Sequence, residues 1–427
     1  MKTRSIALEG GISRTVCRSV ALTGMLMITI AAAGQAQQHS PVRTNSAMWF
    51  GGNPLSQTSQ LLSATPNGRA EINNQDNRDG ESVRYKVVPI GVLPGKTASF
   101  LTIVRAVNNR EHVTGYSFIA AGFHTPKGAL TGQGFIWRDG KLGALPLLRG
   151  WPGAFAFGIN DRDLVVGAAN NLDAKGNLIQ TAVLWDHEQP INLGALHPGW
   201  ISEALDVSSF GEVVGASGIS MTVPPTPVAW YGGRIHSLPL LPGEDGGWAN
   251  EINRWGVIVG WQYSATDEVP CLWYWSGPGY TAVNLGTLGG DYGQAYGINN
   301  FNRVVGYSLY SGNIHGPAFL WDRERGLEAL PVLPPDTDGV AFNVNDRRQI
   351  VGESQVYDDN GKFVSQRAAI WENGTVLALQ TLVPATTPPL TFETGNINDL
   401  GEIAVNATNP DGSPKALLLV PKHRSGR

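Results

Sequence analysis

Seven times the chain writes a variant of one phrase: "AVNNREHVTGYS", "GINDRDLVVGAA", "DVSSFGEVVGAS", "EINRWGVIVGWQ", "GINNFNRVVGYS", "NVNDRRQIVGES" and "NINDLGEIAVNA". Anchored on the second residue of the Ile-Asn or Val-Asn pair or its equivalent, the copies stand at Asn108, Asn160, Ser208, Asn253, Asn299, Asn345 and Asn398, spaced 52, 48, 45, 46, 46 and 53 residues apart. A β-helix coil is shorter, and a helical repeat needs a 3.6-residue apolar period that these copies lack. One copy yields four short strands: A, "AYGIN" (295–299); B, "RVVGYS" (303–308); C, "PAFLWD" (317–322); and D, "LEALPVL" (327–333). Four antiparallel strands in such a unit make one propeller blade. The spacing therefore predicts an all-β fold, a seven-bladed β-propeller over residues 85–421. Composition agrees: charged residues are 15% against an average of about 25%, and 53 Gly with 13 Trp suit short strands and tight turns.

The repeated positions have physical assignments. An Asn or Ser at the end of strand A accepts a backbone hydrogen bond, and three residues on, Asp163, Gly211, Gly256, Asn302 and Gly401 tolerate positive φ, with Glu111 and Arg348 as departures. These Asn residues read as turn chemistry, not as metal ligands. Seven residues past the anchor, Gly115, Gly167, Gly215, Gly260, Gly306 and Gly352 interrupt a β-branched strand, which implies a close visitor. The expected visitor is the strand C tryptophan, Trp137, Trp185, Trp230, Trp273, Trp321 or Trp371, laid over the glycine. Recurrence at one position assigns these rings to the core rather than to a sugar-binding surface.

The array ends unevenly. The last copy stops at strand C, "KALLLVP" (415–421), while "YKVVPIGVLPG" (85–95) is a D-type strand with no unit of its own. It is expected to complete the seventh blade and so close the ring.

Residues 1–36 read as a secretory signal peptide: Lys2, Arg4, Arg14 and Arg18 precede a 15-residue apolar run, 20–34, and small residues at Gly34 and Ala36 favour cleavage after Ala36. The expected location is secreted, extracellular or periplasmic, with no membrane contact after cleavage. Residues 37–84 read as a flexible leader, in which only "AMWF" (47–50) is apolar, and 422–427 as a C-terminal tail. Cleavage removes four of 31 basic and one of 35 acidic residues, leaving 27 against 34 and a net charge of −7. That balance offers no basic face for nucleic acid. Cys17 leaves with the signal, so Cys271 stands alone and no internal disulfide is expected, in a chain expected to be a monomer.

"LGTLGG", "AYGINN", "VVGYS" and "AFLWD", in that order between Leu285 and Asp322, resemble the HAF family of bacterial extracellular repeats, named for a His-Ala-Phe variant of the strand C motif. Here the motif reads "GPAFLW", and the likeness extends over about residues 85–421. The resemblance implies export and a propeller-like body. It brings no assigned activity, so no catalytic residue is carried over. Trp-Asp at 185–186 and 321–322 lacks the Gly-His partner of WD40 repeats.

In propellers the D–A and B–C loops share the face where ligands gather. The D–A loops carry aromatics at Trp151, Trp200, Trp248 and Tyr292 and acids at Glu203, Glu244, Asp245, Asp291, Asp336 and Asp338. Such a rim suits a glycan, which stacks its apolar faces and hydrogen-bonds its hydroxyls, or a cationic ligand. The competing assignment is that the rings cap the propeller top and the acids are solvated turn residues. His124, His197 and His315 share that face, but without an HxH or HExxH pair they define no metal site, and "PDTDG" and "YDDNG" lack a full calcium ligand set. No cofactor motif is present. The A–B turn tips, Arg110, Arg162, Phe210, Trp255, Phe301 and Arg347, would favour a protein partner if exposed, but packing over the adjacent strand is expected. These features point to an exported binding module for a glycan or protein. Two alternatives stay open: a polysaccharide-active hydrolase or lyase using acids of the D–A face, and a structural envelope protein.

Overall fold

The computed structural model describes residues 83–422 apart from 122, 124, 221–224, 359–362 and 386–388. The expected signal, nearly all of the leader, His124 and most of "YDDNG" lie outside the described residues.

The described chain forms four-stranded antiparallel meanders in sequence order, innermost strand A to outermost strand D. Their A strands are Ala98–Phe100, Gly153–Ile159, Ile201–Val207, Gly246–Ile252, Gly289–Ile298, Asp338–Val344 and Thr391–Ile397, for blades 1 to 7. Blades 4 and 5 are joined by a single parallel pair, Glu268 with Tyr292, so their strands count as one eight-stranded sheet. Blade 7 has only three strands of its own, and Tyr85–Pro89 supplies the fourth, running antiparallel to Pro414–Pro421 with Tyr85 opposite Pro421 and Pro89 opposite Leu417. The ring is thus closed by the strand expected to close it. Apolar side chains of facing sheets fill the spaces between blades, as where Val214 and Ala229 of blade 3 meet Ile252, Ile258 and Trp273 of blade 4.

The strand B glycines have a different cause from the one the sequence suggests. Gly215, Gly260 and Gly306 pair with Val228, Cys271 and Phe319 of strand C, while Trp230, Trp273 and Trp321 sit two residues further on. What crowds the glycine is strand A. A bulge there, between Ala204 and Asp206 in blade 3 and at the equivalent place in blades 2, 4, 5 and 6, shifts the register by one residue. A Cβ on Gly215 would overlap the carbonyl oxygen of Glu203, and one on Gly260 that of Trp248. In blade 7 the shift falls earlier, between Phe392 and Thr394, and the corresponding strand B residue is Val405. The tryptophans instead reach across to the preceding blade: the indole N–H groups of Trp185, Trp230, Trp273 and Trp371 donate to carbonyls of Pro146, Leu193, Pro239 and Pro331, at or just past the end of its D strand.

Candidate functional site

Each A–B turn begins with its Asn, or Ser208 in turn 3, accepting two backbone N–H groups. Asn299 Oδ1 takes those of Phe301 and Arg303, both at 3.0 Å, which fixes the turn and leaves the amide Nδ2 free to act elsewhere. The residue three past the anchor has positive φ in every copy, including the two departures, Glu111 (65°) and Arg348 (68°). The Nδ2 groups reach sideways to the next blade. Asn108 donates to the carbonyl of Asn160, Asn160 to Ser208, Asn253 to Asn299, Asn299 to Asn345, Asn345 to Asn398, and Asn398 back to Asn108, at 2.7–3.1 Å. Turn chemistry was legible in sequence, but this circle of inter-blade bonds was not. It is open at one step, because Ser208 has no amide to offer Asn253.

A second circle lies on the following residues. Asn109 donates to Asp161 and Asp399, Arg254 through its backbone N–H to Asn300, Asn300 to Asp346, Asp346 to Asp399, and Asp399 back to Asn109. Among the described residues no such bond links Asp161 to Ser209 or Ser209 to Arg254, so the second circle is open on both sides of turn 3, and both circles are open between turns 3 and 4. Together the turns frame a funnel of about 70 Å³ leading into the ring axis.

Arg105 closes the funnel floor. From blade 1 it crosses to blade 4, donating to Glu251 Oε1 at 2.7 Å and to the Ile252 carbonyl at 3.2 Å, with Asp206 of blade 3 at 3.7 Å. Burial works against its charge, but Asp206 and Glu251 outweigh that and hold the guanidinium above its usual range. Burial also raises both acids, Glu251 to about 7, with Arg105 pulling each back. Glu251 Oε2 accepts from Asn343 of blade 6 at 3.1 Å, so this network ties four blades across the axis. Asp206 and Glu251 directly follow the strand A bulge, where pairing with strand B resumes.

Around the funnel, the aromatic turn tips are not packed down. Phe210, Trp255 and Phe301, on consecutive blades 3, 4 and 5, are 76%, 63% and 61% exposed. The Trp255 indole N–H donates to the Asn300 carbonyl at 2.9 Å, and Arg254 lies over its ring at 4.5 Å. Of the arginine tips, Arg110 pairs with Asp163, and Arg162 reaches the Ser209 carbonyl. Sequence reasoning assigned all these tips to packing. Arginines fit that expectation in part, aromatics do not.

The residues expected to form a D–A rim are dispersed. Glu203, Trp248, Asp291, Tyr292 and Asp338 belong to A strands rather than loops, because those strands begin earlier than their motifs suggest. Trp248 is buried opposite Trp261. Glu203 is 1% exposed, and burial pushes it up to about 8, with the Gln180 side chain pulling it back. Asp336 is buried against Arg367, and Asp338 accepts from Gly316 N–H and faces His315 at 2.9 Å. Trp151 packs on the cluster containing Leu145 and Trp185, and Trp200 stands edge-on to His197 at 4.4 Å. Asp291 is exposed and paired with Asn313. Glu244 is half-buried and raised to about 7, by burial and then by Asp267 and Asp245.

Among the described residues, four-stranded meanders around a central funnel, the last completed by a strand from residues 85–89, define a β-propeller. No sequence-family model matches the chain, and no curated protein matches it. Among solved structures it is similar to TolB from Acinetobacter baumannii, at 12% identity and TM-score 0.38, over 69% of this chain and 76% of that one. It is similar to a puromycin-hydrolyzing peptidase of Mycobacterium tuberculosis, at 12% identity and TM-score 0.48, over 79% of this chain and 56% of that one. The β-propeller domain of the Trilobed protease from Pyrococcus furiosus matches at 10% identity and TM-score 0.45, over 78% and 97%. The chain spans little more than half of the peptidase. The likeness at such identities is one of fold, and no ligand or activity passes from these proteins to this chain.

Proposed function

We propose that the chain is an exported β-propeller acting as a binding module, and that it takes a protein partner on the A–B turn face. One observation carries this: three large rings stand mostly exposed on consecutive turns beside the funnel. Scattered exposed side chains need no explanation, but aromatics grouped on one face with arginines are the usual composition of a protein-binding surface. The narrowness of the funnel, about 70 Å³ beside the roughly 300–1,000 Å³ usual for small-molecule sites, supports a partner on the face over a small ligand within it. Export is supported by the basic and apolar pattern of residues 1–36, and a mature N-terminus at Gln37 by mass spectrometry tests it.

The test of the face is site-specific photo-crosslinking in the producing cell. A photoreactive residue at Phe210, Trp255 or Phe301 is expected to give the same protein adduct, and one at Trp200 or Asp245 on the opposite face none. Adducts from the D–A face alone would reject the assignment. A second proposal, a polysaccharide-active enzyme on that face, draws on Glu244, a carboxyl raised toward neutrality beside Asp245 and Asp267, as a general acid requires. Reducing-sugar release abolished by Glu244→Gln would favour it.

A further inference from the structure

The A–B face is uneven in charge and in hydrogen bonding, and both asymmetries meet at one place. The rim carboxylates are already used: Asp161 and Asp346 each accept two bonds from Asn109 and Asn300, Asp399 accepts from Asp346 and Asn109, and Glu212, beside Gly256 at the edge of the gap, accepts from Ser208 Oγ at 3.4 Å. Arg254 is exposed, and its guanidinium has no hydrogen bond or ion pair among the described residues. It stands where both circles of inter-blade bonds are open, between Ser208 and Ser209 on one side and its own turn on the other. Further cations continue the arc: Arg325, Arg347 and Arg348 are exposed, and Arg303 lies 5.6 Å over Phe301. Within this arc Arg325 is shared with Glu328 at 3.9 Å, and Arg303 is depressed, first by burial and then by the nearby Arg348, with Asp322 and Asp346 acting the other way.

We infer that the gap between the third and fourth A–B turns binds a carboxylate presented by a protein partner, with Arg254 as the anchor and Phe210, Trp255 and Phe301 as the apolar surround. The inference rests on the proposal that this face is the binding face, and adds the chemistry of what it binds. A planar guanidinium offers a carboxylate two parallel N–H donors, which a lysine cannot. The anchor is also prepared in advance. The Arg254 backbone N–H is held by Asn300 Oδ1 at 3.1 Å, and its side chain rests on a Trp255 ring itself fixed through Nε1. Holding a long side chain in place before binding removes part of the ordering cost. A partner seated on the rings around it excludes water, which strengthens the charged pair.

The experiment probes the mature full-length protein on an array of synthetic peptides that set Asp or Glu beside Leu, Phe or Trp. Each peptide is matched with its Asn or Gln counterpart and its Lys counterpart. Binding is expected only to the acidic members. Arg254→Ala is expected to weaken it at least tenfold, Arg254→Lys to keep part of it, and a rise from 50 to 500 mM salt to weaken the wild type more than Arg254→Ala. Thermal melts matching the wild type establish that these exposed substitutions leave the fold intact. Equal binding by the amide counterparts, or binding unmoved by Arg254→Ala, overturns the carboxylate anchor. If such binding is still lost in Phe210→Ala with Phe301→Ala, the face survives as the docking surface without its acidic specificity. Peptides that bind independently of every substitution on the face, or no binding by any member, overturn both.

Discussion

Asn398 donates its side-chain amide, at 2.7 Å, to the backbone carbonyl of Asn108, a residue 290 positions earlier. The same side chain accepts the N–H groups of Leu400 and Glu402, so one Asn both shapes its turn and closes the ring. Two substitutions separate these roles. Asn398→Ser keeps an acceptor for the turn and loses the inter-blade bond, as Ser208 does naturally, and is expected to cost about 1–2 kcal/mol in urea unfolding. Asn398→Ala also strands the turn's buried donors and is expected to cost about 3 kcal/mol.

Gly260 tests the strand A bulge. Its Cβ would overlap the Trp248 carbonyl oxygen, which belongs to backbone and cannot step aside. Gly260→Ala is expected to destabilise the protein by at least about 3 kcal/mol, where Gly279→Ala, with open space around it, should stay within about 0.5 kcal/mol. Equal effects would show that the bulge is not where the register places it.

Buried carboxyls make stability depend on pH with an unusual sign. Burial raises Glu203 to about 8 and Glu268 to about 7, well above 4.5 in an unfolded chain. Between those limits the folded state holds the extra protons, so stability is fully present below about pH 4.5 for these groups and is lost as pH rises through 7 to 8. Urea midpoints are expected to fall from pH 5.5 to pH 9. Glu203→Gln, neutral at every pH, should flatten that fall and be more stable than wild type at pH 9.

Arg105 is the only cation in contact with Asp206 and Glu251 among the described residues. Arg105→Ala strands two buried acids and is expected to cost roughly 3–5 kcal/mol, partly recovered when Asp206→Asn and Glu251→Gln are added. Thermal and urea unfolding of the single and triple variants measure the difference.

Much of the frame was legible because the repeat states it. The anchor Asn, the positive-φ residue after it and the orphan strand 85–89 each have a local chemical signature, and each stands where that signature put it. The strand A bulge was not legible: it leaves only a glycine on the neighbouring strand, and glycine names no cause. Glu203 and Trp248 were misplaced for a related reason, since their A strands begin five residues ahead of the motif, at Ile201 before Asp206 and at Gly246 before Glu251, and draw nominal loop residues into the interior. Exposure of Phe210, Trp255 and Phe301 depends on what neighbouring turns leave uncovered, a fact of packing that one turn's sequence does not contain.

Closure of the ring is tested most directly by a cysteine pair. Lys86 lies opposite Val420 in the antiparallel pairing of the two chain ends. In a Cys271→Ser background, Lys86→Cys with Val420→Cys is expected to form an intramolecular disulfide under mild oxidation and to raise the melting temperature. A pair that stays reduced, or links only between molecules, would contradict closure by Tyr85–Pro89 and with it the circle of turns that carries the binding face.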